Sequence, residues 1–184
     1  MWTISIVCLV SLAHETTSVT LEDLKHFLHT HEKIWTRYRS FEVGPKHNYH
    51  RCIYAEVRPT EQGHYAYAQH YEFGYRWISQ MLVAEVFESR TKHPVLRVKL
   101  KNGRTYDYHL VFWSDLERCA VFTISVNGKR RCEVQVWNDH VKYHLPRCQM
   151  TYKRYCPGNE FEIYMRHCSP PRHSQLESHM ISTK

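Results

Sequence analysis

Glycine is scarce in this chain, at six residues in 184, which excludes a low-complexity or linker-dominated protein. No Asn-x-Ser/Thr triplet occurs, so no N-glycan is expected. Gly-x-Ser-x-Gly, a glycine-rich phosphate loop and a recognisable frame of paired catalytic carboxylates are all missing. Those absences argue for a binding protein rather than an enzyme, with no cofactor expected. Beyond the first residues no segment is apolar enough to span a membrane. The net charge is +7, yet no basic run exceeds Lys129-Arg130-Arg131. That charge reads as a solvated basic surface rather than a nucleic-acid or heparin site.

What is present begins with an apolar start, Trp2 to Ala13. Its length suits a signal peptide over residues 1–18, cleaved after Ala13 or near Ser18, although a basic n-region is missing. Cys8 would leave with it. Six cysteines remain, Cys52, Cys119, Cys132, Cys148, Cys156 and Cys168. An even number behind a leader predicts a disulfide framework in a secreted protein. Residues 19–168 suffice for one domain. Ser169 to Lys184 carries two prolines and little else apolar, and is expected to be a loose tail.

Thr20 with Asp23 forms a capping box, and Val19 with Leu24 a hydrophobic staple. Leu21, Leu24, Phe27 and Leu28 then share one helical face. Strand-like runs follow near 34–43, 51–58, 64–73, 76–88, 94–100, 104–113, 118–126 and 131–137. Asn102-Gly103 and Asn127-Gly128 are strong hairpin signals. Pro146 can open a second helix to about Cys156, and a short strand runs from Phe161 to Met165. The expected fold is all-β: an eight-stranded antiparallel up-and-down barrel with a single cavity, a short N-terminal helix and a C-terminal helix.

Hairpin geometry assigns faces, because directly paired residues share one. A two-residue turn puts Lys101 opposite Arg104. With Arg97 and Lys99 outside, Leu96, Val98, Leu100, Asp107, His109, Val111 and Trp113 face the lumen. Tyr108, Leu110 and Phe112 then face out. The second hairpin pairs Val126 with Lys129. Disulfides to the second helix require Cys119 and Cys132 on the outside, which turns Phe122, Ile124, Glu133, Gln135 and Trp137 inward. A buried carboxylate is costly unless paired or meeting a cation, so Glu133 is the leading ligand-contacting charge. The alternation Tyr65, Tyr67, Gln69, Tyr71, Phe73 reads as a packed strand face. Were it luminal, its tyrosines would suit a cationic amine.

The ordered set Glu22-Asp23-Leu24-Lys25, Glu32-Lys33-Ile34-Trp35, Ser114-Asp115, Cys119-Ala120-Val121, Cys132-Glu133, Pro146-Arg147-Cys148 and Tyr155-Cys156-Pro157-Gly158, ending at Cys168, resembles the tick salivary lipocalins of the histamine-binding type. The resemblance covers most of the mature chain. It implies disulfides Cys52–Cys168 and Cys119–Cys148, leaving Cys132–Cys156, where six cysteines alone allow 15 pairings. It also implies secretion and sequestration of a host mediator: histamine or serotonin, a lipid such as a leukotriene, fatty acid or sterol, or a host protein bound by the outer surface. Amine binders of this type carry an Asp where Ala120 stands, and Glu-Leu-Trp or Glu-Leu-Tyr in the next strand. Here the Glu is kept as Glu133, and Trp137 stands in for the aromatic. His109 falls near a position that carries an acid in amine binders. The expected ligand residues are therefore Glu133, Asp107, Trp137, His109, Trp113, Phe122 and Gln135, in a monomer without nucleic-acid, membrane or metal partners. His26, His29 and His31 lack the further ligands of a zinc site and read as a solvated helix face.

Overall fold

The computed structural model describes residues 18–170; nearly all of the expected leader and tail lies outside them. Helix α1 (Leu21–Leu28) starts at the expected capping box, with the Thr20 hydroxyl accepting from the Asp23 N–H. The long strands are β1 (Ile34–Arg39), β2 (Arg51–Pro59), β3 (His64–Phe73), β4 (Arg76–Glu88), β5 (Pro94–Lys99), β6 (Thr105–Ser114), β7 (Cys119–Val126) and β8 (Lys129–Trp137). Each pairs antiparallel with the next, and β8 pairs with β1, closing an eight-stranded up-and-down barrel. Helix α2 (Pro146–Tyr155) and a two-residue strand β9 (Phe161–Glu162) follow.

The closure is uneven. β1 meets β2 only at Ile34 and Trp35, and higher up β9 pairs with β1 instead. The Cys52 N–H donates to the Ile163 carbonyl at 2.9 Å. The 161–168 segment thus fills the seam, tied there by Cys52–Cys168. The expected strand over 161–165 is cut to the two residues that form ladder pairs with β1, while Ile163 bonds to both sides of the seam, its N–H donating to the Arg37 carbonyl at 3.0 Å.

Two apolar layers result. The inner one joins Leu24, Phe27 and Leu28 of α1 to inward residues such as Ala55, Tyr67, Leu82, Leu96, Leu110 and Phe122. Phe27 lies against Trp113 and Phe122 with ring centroids 5.2 and 5.7 Å away, so α1 plugs one end of the barrel. The outer layer joins Val121, Val134 and Val136 to Tyr152 of α2. Cys119–Cys148 and Cys132–Cys156 clamp it, so all three expected pairs are present. The first turn of α2 lacks a side-chain cap on Leu145. Buried Glu117 replaces it, accepting from the N–H groups of Arg147 and Cys148 at 3.0 and 3.1 Å.

The two Asn-Gly turns differ. Val126 pairs with Lys129, with Asn127 and Gly128 both at positive φ, as a two-residue turn requires. At the other, pairing ends at Lys99–Thr105, and the Leu100 N–H bonds to the Arg104 carbonyl. Here the loop is three residues long, with Gly103 alone at positive φ. The Asn102 side-chain oxygen accepts from the Arg104 N–H at 3.1 Å, a local turn that holds this longer loop.

Candidate functional site

That one-residue difference inverts part of β6. Asp107 stands opposite Arg97 rather than inside the barrel. The Arg97 Nε and Nη2 donate to its two oxygens at 2.7 and 2.8 Å on the outer surface. The guanidinium holds the Asp107 carboxyl below its ordinary range, against a smaller opposing effect of burial. His109 shares this outer face, opposite Thr123, which in turn pairs with Cys132 beneath α2. The expectation that Asp107 and His109 face the lumen is therefore corrected. Tyr108 and Leu110 point inward in their place and join the inner layer. A bulge between Leu110 and Phe112 then restores the parity. Trp113 faces in as expected, while Val111 joins Phe112 on the outer layer rather than the lumen.

The β7–β8 faces follow the two-residue turn. Phe122, Glu133, Gln135 and Trp137 are all buried. Trp137 sits at the closed end, donating its indole N–H to the Phe27 carbonyl at 3.0 Å, with Trp113 5.7 Å away. Both tryptophans therefore belong to the plug made with α1. Tyr65 and Tyr67 also enter the inner layer.

Glu133 has a partner that the sequence reading missed. Arg39, opposite it on β1, places Nε 2.9 Å from the Glu133 Oε1, and their side chains are only 7% and 2% exposed. The Gln135 amide donates to the other Glu133 oxygen at 3.3 Å, while its own Oε1 is buried without a hydrogen-bond partner. Removal from water pushes the phenols of Tyr67 and Tyr108 up. The Glu133 charge adds to this and Arg39 opposes it, so all four groups feel one another. Both tyrosines stay neutral hydroxyls at physiological pH. Toward the open end His50 stacks on Tyr71 at 4.2 Å. Burial, and then the Arg39 charge, lowers the His50 pKa. The inner face thus offers largely apolar walls and, around Gln135, a buried polar cluster of an ion pair, an amide with a spare acceptor and two phenols. Gln69 and Gln80 lie on the same face further round. No turn joins β8 to β1, so no hairpin rule could place Arg39 opposite Glu133. The available signal was a pair of arginines, Arg37 and Arg39, in strand-like sequence, and only Arg39 shares the inward parity of Glu133's partner.

The sequence model of the tick histamine-binding protein family matches residues 12–170. The chain belongs to that family. No curated protein matches this family member by sequence. Among solved structures it is similar to Japanin from Rhipicephalus appendiculatus bound to cholesterol, at 13% identity and a TM-score of 0.57 over 76% of this chain and 96% of that one. It is also similar to apocrustacyanin C2, at 9% identity and a TM-score of 0.52 over 83% and 91% of the two chains. Apocrustacyanin C1 gives 9% and 0.51 over 88% and 94%. These likenesses show the fold: this family member is a lipocalin-type barrel.

Proposed function

We propose that the chain is a secreted scavenger that holds a small-molecule mediator inside the barrel, without catalysis. The observation that carries this reading is the buried polar cluster around Gln135 on the largely apolar inner face of the barrel, since such sites fix one end of a ligand and bury the rest. Three disulfides suit an oxidising, extracellular setting. Arg39 already neutralises Glu133, so the site does not call for a charged ligand. The spare Gln135 acceptor calls for a hydrogen-bond donor. A mostly apolar molecule ending in a hydroxyl fits best, and cholesterol, held by Japanin, has that form.

A biogenic amine is the second reading, favoured by the family match and by Glu133 inside the lumen. Its ammonium would have to draw the carboxylate from Arg39, and Ala120 offers no second anion. Titration calorimetry with cholesterol and with histamine tests both. On the first reading cholesterol binds, and Gln135→Leu weakens it about tenfold, one lost hydrogen bond. Histamine binding that Glu133→Gln abolishes would select the amine instead. Failure of both ligands to bind, with none retained in a native mass spectrum of the secreted protein, overturns the scavenger reading.

A further inference from the structure

The loops joining β1 to β2, β3 to β4, β5 to β6 and β7 to β8 all lie at one end of an up-and-down barrel, opposite the α1 plug. Exposed cations lie in these loops or at the strand ends beside them: Lys46, Arg76, Lys101 with Arg104, and Lys129 with Arg130. A cavity of about 390 Å³ opens at this rim, outside the polar cluster, between the end of β1, the β7–β8 turn and the segment before β9. Phe41, Val126 and Phe161 give it apolar walls, and Lys129, Arg131 and Asn159 are among its polar lining.

Its charges are not balanced from within. Glu42 is the one acid in the lining, and Arg51 engages it at 2.5 Å. Among the described residues no carboxylate pairs with Lys129 or Arg131. The Arg131 Nη1 reaches only the Ser40 carbonyl, at 3.4 Å, and its Nε is buried with no hydrogen-bond partner. A buried donor left unmade is costly, and a guanidinium beside an ammonium and carboxamides is matched by a carboxylate. We propose that this rim cavity is a second binding site, which takes the carboxylate of a small organic anion against Lys129 and Arg131 and its apolar part against Phe41 and Phe161. The ring of cations around it would draw such anions in, a salt-sensitive effect on association. The anion is either a free aryl or alkyl acid or the head group of a lipid whose chain continues inward.

Calorimetric titrations with phenylacetate and phenylacetamide, and with decanoate and decanol, separate these cases. The expected result is that an acid outbinds its neutral counterpart at least fivefold. The double variant Lys129→Gln/Arg131→Gln should lose that margin while neutral-ligand binding stays unchanged. Phenylacetate behaving so identifies a free-anion site, and decanoate alone identifies a head-group site. Lys129→Glu, at an exposed position, applies the same fivefold criterion should the double variant not fold. A margin or a loss below fivefold for both acids overturns the proposal. Cholesterol titration of the same variants reports on the lumen separately, so this site and the lumen reading stand or fall apart.

Discussion

The Arg39–Glu133 pair is the costliest arrangement inside the barrel, and breaking it from one side is the sharpest test of the site. Arg39→Met leaves a carboxylate in the lumen with only the Gln135 amide beside it. Removing one partner of a buried pair costs about 3–5 kcal/mol, because the survivor stays desolvated without compensation. With both side chains less than a tenth exposed, a value of about 3 kcal/mol is expected, and a similar loss for Glu133→Gln. That is a large share of the ~5–15 kcal/mol of a typical domain, yet not all of it. The double variant Arg39→Met/Glu133→Leu removes both charges and fills their space with apolar atoms. It should lie within about 1 kcal/mol of the wild type, since such replacements of buried pairs are often neutral or stabilising. Urea unfolding at pH 7, with unchanged m-values as the check on comparability, gives all four stabilities. The reasoning is refuted if the two single losses add within about 0.5 kcal/mol, as independent sites do. Histamine titration of the double variant should then show no binding, whereas a ligand anchored by Gln135 should still bind.

Asp107→Asn should leave every ligand affinity unchanged, because Asp107 lies outside the barrel, and should cost about 0.5–1 kcal/mol in urea unfolding at pH 7, a solvent-screened value for a half-exposed pair. Its carboxyl is held below its ordinary range when folded. The stabilisation is therefore present above the unfolded carboxylate pKa and lost as pH falls through the folded one. The gap between variant and wild type should accordingly close below about pH 4, and a gap that widens there would contradict the outward pair. Glu117→Ala should cost about 1–2 kcal/mol by uncapping α2, read as a fall in Tm that Glu117→Gln partly spares; equal losses would mean the carboxylate is not the cap. Replacing both Cys52 and Cys168 by Ala opens a link spanning 116 residues, worth about 4–5 kcal/mol on the chain-entropy view. Hydrogen exchange should then rise first at the backbone amide of position 52 on β2, which bonds to the Ile163 carbonyl just after β9, and uniform acceleration across the barrel would argue against a local seam.

The disulfide partners come from the family resemblance, since six cysteines alone allow 15 pairings. Strand positions and both helices were legible in the sequence because each rests on short-range rules: periodicity, caps and turn dipeptides. The faces of β7 and β8 were legible for the same reason, since a two-residue turn fixes parity. The face of β6 was not. The same Asn-Gly dipeptide closed a three-residue loop there, because the Asn102 side chain chose a local bond to Arg104, and a one-residue change moves every following side chain to the other face. Trp113 was placed correctly only because a bulge undid that slip. Arg39 was out of reach altogether, because its partner lies 94 positions along the chain across a closure that no turn announces.

The covalent links touch the barrel only from outside: Cys119 and Cys132 lie beneath α2, and Cys52 is bonded to the segment after β9. The wall that keeps the shell shut and the wall that meets a ligand are therefore different surfaces of the same strands. Interior substitutions that would unfold an unstapled barrel, at a few kcal/mol each, can be absorbed here by a scaffold whose open chain is already entropically restricted. Such a container can exchange its contents by changing lumen residues alone, with no renegotiation of how it folds.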